Sequence, residues 1–91
     1  MSKFMIEVPH EPTKLECNRS ISIFLKSGSH FLSHADWGCS DGEHKAWFVM
    51  EAENKQEVLN VVPPIYRSRA KIVQLTQFRL EEIEDNLKLH A

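Results

Sequence analysis

The stretch Trp37-Gly38-Cys39-Ser40-Asp41-Gly42-Glu43-His44-Lys45-Ala46-Trp47-Phe48-Val49-Met50 decides how this chain folds. Asp41-Gly42 is a hairpin dipeptide, and the run after it, with Trp47, Phe48 and Val49, has high strand propensity. Read as a two-residue type I′ turn, it pairs Ser40 with Glu43 and Cys39 with His44. Directly opposed residues share a face of a sheet, so a thiol meets an imidazole. Residues 31–39 and 43–52 are therefore the expected second and third strands.

Outward from the hairpin, Phe4, Ile6 and Val8 alternate with Met5 and Glu7, a period of two that predicts a first strand over residues 3–10, limited by Pro9. Thr13 and Glu16 form a capping box behind Pro12. Cys17, Ile21, Phe24 and Leu25 then follow at helical spacing until Gly28, predicting a helix over residues 14–27. Asn54 and Glu57 make a second box ahead of Val58, Leu59, Val61 and Val62, and Pro63-Pro64 must stop that short helix. Residues 71–78 alternate again, through Ile72, Val73 and Leu75. Leu80, Ile83 and Leu87 then mark an acidic amphipathic extension over residues 79–91.

The order β-α-β-β-α-β with an added helix predicts a single α+β domain over residues 1–91, a ferredoxin-like antiparallel sheet with helices on one face. At 91 residues and 42% apolar there is room for one modest core and no second domain. The third strand carries large apolar groups on both faces, Phe48 and Met50 against Trp47 and Val49. A homodimer covering the second face is the expected solution.

A net charge of −2 lacks the positive field of a nucleic-acid binder, and the one basic cluster, Arg67, Arg69 and Lys71, reads as solvated. An RNA-recognition sheet shares this strand order, but Ala46 and Phe48 fall on one face and Trp47 on the other, which misaligns the aromatics. No run approaches a membrane span, and no secretory apolar segment follows Met1-Ser2-Lys3. The expected location is cytoplasmic and the expected state of the two cysteines is reduced.

In the expected topology the third strand lies between the first and second, so the end of the first strand, at His10, neighbours the start of the third, at His44. Cys39 belongs to the same end of the sheet, and so does the first turn of the first helix, with Cys17. His10, Cys17, Cys39 and His44 thus form an expected Cys2His2 donor set for zinc, with copper or iron as other transition metals that could use it. Amides at the helix start favour a thiolate nearby. The plainer alternatives are Cys17 as core filling, Cys39 and His44 as a packed cross-strand pair, and His10 as a hydrogen-bonding partner of the backbone. His30 and His34 have the spacing of a helical chelate, but on a strand they would stand about 13 Å apart. His90 lies at a fraying end. Glu7, His10 and His44 are the candidate proton-transfer groups, with Glu7 on the second face beside Trp47 and Asp36.

Val8-Pro9-His10, then residues 37–44, then Val62-Pro63-Pro64 ahead of Arg67 to Ala70, resemble a family of small prokaryotic proteins, a resemblance that spans nearly the whole chain and supplies no activity. At the level of fold the chain is similar to the dimeric α/β-barrel superfamily, which includes muconolactone isomerase-like enzymes, small monooxygenases and ligand-binding stress proteins. That likeness implies two facing sheets around a small-molecule cavity. It also sets a cofactor-free, isomerase-like enzyme or small-molecule binder beside the metal-binding expectation.

Overall fold

A computed structural model describes residues 1–90 of the chain. The 79–91 extension expected from sequence is therefore described only to His90, and Ala91 lies outside the described residues. The elements run β1 (Ser2–Pro9), α1 (Lys14–Lys26), α2 (His30–Ser33), β2 (Asp36–Trp37), β3 (Lys45–Ala52), α3 (Lys55–Val61), β4 (Lys71–Leu75) and α4 (Leu80–Leu89), with single 3-10 turns at Cys39–Asp41 and Pro64–Tyr66. Four antiparallel strands form one sheet in the order β2-β3-β1-β4.

The alternation in β1 and β3 sorts the two faces. Phe4, Ile6 and Val8 lie opposite Met50, Phe48 and Ala46 in turn and are buried under the helices with Phe24, Leu32, Val58 and Val62. Local chemistry places the helices. Thr13 Oγ1 accepts from Glu16 N–H at the start of α1, and Asn54 Oδ1 accepts from Glu57 N–H at the start of α3, each satisfying an amide with no intrahelical partner. Gly28, at φ +80°, ends α1. The buried side of α1 departs from the expected stripe: Leu25 is exposed, and Ser20 turns inward to share a 2.8 Å hydrogen bond with Tyr66 Oη. The hydroxyl pair lets two polar atoms occupy the core without an unmet bond.

Residues 31–39 are not one strand. Ser29 Oγ accepts from Leu32 N–H and opens the one-turn α2, so only Asp36 and Trp37 remain to pair with β3. The hairpin turn also differs. A type I′ turn needs positive φ at both central residues, and only Gly42 has it. Instead, Gly42 N–H reaches Cys39 O and Glu43 N–H reaches Gly38 O, the paired bonds that close a helical turn ahead of a left-handed glycine. The register survives, with Asp36 opposite Trp47 and Trp37 opposite Ala46.

Arg67 is not a free cation: it donates to Val62 O (2.8 Å) and Asn60 O (3.1 Å), tying off the end of α3. Arg69 lies 3.4 Å from Glu11. At the other end, every residue of α4 is exposed. The radius of gyration is 16.6 Å and the long axis 53 Å, against about 12 Å expected of a compact chain this size. No helix among the described residues is long and apolar enough to cross a membrane.

Gly38 is the tightest point of the hairpin. A Cβ there would stand 2.6 Å from Glu43 O and 2.8 Å from Trp47 Cζ3. Gly38→Ala should lower stability by about 1–3 kcal/mol in urea unfolding, and Gly42→Ala, which has open space but a left-handed backbone, by about 1 kcal/mol. An unchanged midpoint for Gly38→Ala would contradict the turn described.

Candidate metal and thiol site

β1 ends with His10 still in register: its N–H donates to His44 O at 3.0 Å, continuing the β1–β3 ladder one residue past the strand. Alternation then puts His10 on the face of Val8 and His44 on the face of Ala46, both toward the helices. Their rings are 5.8 Å apart, edge to face. Gly38 extends the β2–β3 pairing by donating to Lys45 O, and Cys39 leaves it toward the same rung. The result is His10, Cys39 and His44 with one donor atom from each within 4.8 Å of the others.

His10 is 7% exposed and walled by Trp37, whose ring centroid is 6.0 Å away. Its Nδ1 sits 2.9 Å from Glu11 O. A carbonyl can only accept, so Nδ1 carries the proton and Nε2 presents its lone pair. That lone pair faces Cys39 Sγ at 3.2 Å. An imidazole held by a backbone carbonyl on one nitrogen, with the lone pair of the other left to donate, is the arrangement usual for metal-binding histidines. His44 Nδ1 is, among the described residues, the one buried side-chain nitrogen or oxygen with no hydrogen-bond partner. Such an atom is costly to bury unless something else satisfies it.

Cys17 arrives from the other side. It occupies the first turn of α1, its N–H bonded to Thr13 O, and its Sγ is in disulfide contact with Cys39 Sγ, the two Cα atoms 6.9 Å apart. The expectation of two reduced thiols is therefore corrected: Cys17 and Cys39 are joined, and neither is free. Proximity at the helix start is the physical reason, because the rung that gathers the donors also brings the sulfurs within bonding reach. A cleft of about 330 Å³ opens over the pair, lined by Thr13, Lys14, Asn18, Ser40 and His44 besides the two cysteines. Lys14, Asn18 and Ser40 were not expected there from sequence. Their position, one turn around Cys17 or next to Cys39, is the signal that could have marked them.

The other candidates fall elsewhere. Glu7 points to the second face, where Trp47 Nε1–H donates to its carboxylate at 3.2 Å and Lys45 Nζ lies 3.7 Å away. It does not join His10 and His44. His30 and His34 are not on a strand: they share the single turn of α2, ring centroids 4.2 Å apart, with His34 Nδ1 donating to His30 O. The capping by Ser29 brings them together, and they remain exposed and away from the cluster.

No protein-family profile, curated protein or solved structure matches this chain. Cys39 Sγ is in disulfide contact with Cys17 and also belongs, with His10 and His44, to a group that could hold a metal ion.

The Cys17–Cys39 link closes a loop with a sequence separation of 22. Reducing it should lower the unfolding free energy by about 3 kcal/mol, read as the shift in urea midpoint with and without reductant. Cys17→Ala with Cys39→Ala should abolish the reductant dependence. A wild-type midpoint indifferent to reductant would show that the link does not form in solution.

Proposed function

We propose that the reduced protein binds a transition metal, zinc foremost, through His10, Cys39 and His44, with Cys17 as fourth donor. The observation that carries this is His10: its tautomer is fixed by Glu11 O, its Nε2 meets Cys39 Sγ at 3.2 Å, and His44 adds a buried nitrogen with no other partner. Donor atoms in a tetrahedral zinc shell stand about 3.5 Å apart, so a set within 4.8 Å has to contract by about 1 Å to hold the ion. Two thiolates and two imidazoles close the shell and make the ion a structural clasp between β1, the β2–β3 loop and α1. Leaving Cys17 out would give an open position with Lewis-acid capacity.

A dimer is the second part of the reading, supported by the second sheet face. Val49, Val73 and Leu75 are exposed there in β3 and β4, and the apolar stripe Leu80, Ile83 and Leu87 of α4 is exposed on the same chain. A ten-residue helix with no packing is marginal in water, so α4 needs a surface to lie on. The sheet order with β1 at the centre supports a ferredoxin-like domain of the dimeric α/β-barrel kind, in which the small-molecule cavity of the alternative, isomerase-like reading would lie between two sheets. Glu7, already bonded to Trp47 and faced by Lys45, gives that alternative a poor proton-transfer group.

Cobalt(II) titration of the reduced protein should give thiolate-to-metal charge-transfer absorption and be displaced by zinc. Cys39→Ser or His10→Ala should weaken binding by about tenfold or more, since even supporting residues are worth that much. His30→Ala with His34→Ala should leave the spectrum unchanged. Absence of thiolate absorption in the wild type ends the metal reading. For the dimer, light scattering should give twice the chain mass, and Val73→Asp with Ile83→Asp should halve it; a monomer at all concentrations removes that part.

A further inference from the structure

The two sulfurs are joined to each other but differ in surroundings. Cys17 is 8% exposed, seated in the first turn of the 13-residue α1. Cys39 is only half-buried, at the start of the hairpin turn, with the Nε2 lone pair of His10 at 3.2 Å. Both open onto the same cleft of about 330 Å³, a volume at the small end of ligand sites. An accessible thiol with a base beside it, backed by a buried second thiol within bonding reach, is the arrangement that disulfide exchange requires. A structural disulfide needs neither the cleft nor the imidazole.

We propose that Cys39 and Cys17 form a thiol–disulfide exchange centre for a small-molecule disulfide, Cys39 attacking and Cys17 resolving. Cys39 Sγ forms a bond to one sulfur of the bound disulfide as the substrate S–S bond breaks. The thiol proton passes by way of His10 Nε2 to the departing sulfur, releasing one thiol. Cys17 Sγ then attacks Cys39 Sγ, and the mixed disulfide breaks to release the second thiol. The Cys17 proton goes to that second departing sulfur, so the chain loses two hydrogens and the substrate gains them; the reverse exchange with two small thiols, which leave as one disulfide, restores the dithiol. Lys14, Asn18 and Ser40 on the cleft wall supply a cation and polar groups for a charged, polar disulfide rather than an apolar one.

This centre does not rest on metal binding, because the exchange runs on the metal-free chain. The test uses reduced protein, stripped with chelator under anaerobic conditions and mixed with oxidised glutathione, followed by intact mass and peptide mapping. Wild type should lose two hydrogens and retain no glutathione. Cys17→Ser should retain one glutathione, on Cys39, and Cys39→Ser should react about tenfold or more slowly than Cys17→Ser. Folding of each variant is checked by circular dichroism, with alanine replacing serine where serine unfolds the chain. A stable glutathione adduct on the wild type, equal rates for the two single variants, or a wild-type rate no faster than that of the urea-unfolded chain overturns the proposal. Cobalt titration of the same preparation reports separately on the metal reading, so either can fail without the other.

Discussion

The hydrogen bond from His10 N–H to His44 O holds the two imidazoles of the candidate site in place. It extends the β1–β3 ladder past the strand end, and alternation does the rest: with the register fixed, both imidazoles must face the helices. A slip of one residue between the strands would turn one set, Val8 with His10 or Ala46 with His44, to the opposite side and part the two imidazoles. The core and the cluster are thus one constraint, since burying Ile6 against Phe48 and presenting His10 beside His44 are the same event.

Much of this was legible in the residues. The capping pairs at Thr13 and Asn54 marked helix starts because a short oxygen-bearing side chain ahead of a periodic run has a definite task, bonding an otherwise unpaired amide. The β2–β3 register was legible too, because any closure around Asp41-Gly42 of this length keeps Trp37 opposite Ala46. The kind of turn was not. Asp41 tolerates either sign of φ, and the decision lies with Gly38, whose missing side chain admits Glu43 and Trp47 against the backbone. The short α2 hid for a similar reason: four residues carry no period, and only Ser29 announces the turn. The inward Ser20 was invisible because its partner, Tyr66, lies 46 residues away.

Sulfur chemistry was half legible. Topology alone predicted that Cys17, Cys39, His10 and His44 gather at one end of the sheet; His10, Cys39 and His44 form one group there, while Cys17 meets only the Cys39 sulfur. What the spacing could not give is how closely the sulfurs approach, which depends on the path of the loop after Gly38 rather than on any motif. Once the approach is known, Cys39 becomes the pivot of the site. It has one sulfur and two claims on it, a second sulfur on one side and imidazole nitrogens on the other.

The two tryptophans stand on opposite faces of the same sheet. Trp37, on the helix side, lies 4.9 Å from the Phe24 ring and 6.0 Å from that of His10, while the Trp47 indole lies on the other side, bonded to Glu7. Light absorbed by one reports on the donor cluster, and light absorbed by the other reports on the uncovered surface. The molecule therefore carries its own pair of optical labels, one per face, with no probe needing to be attached.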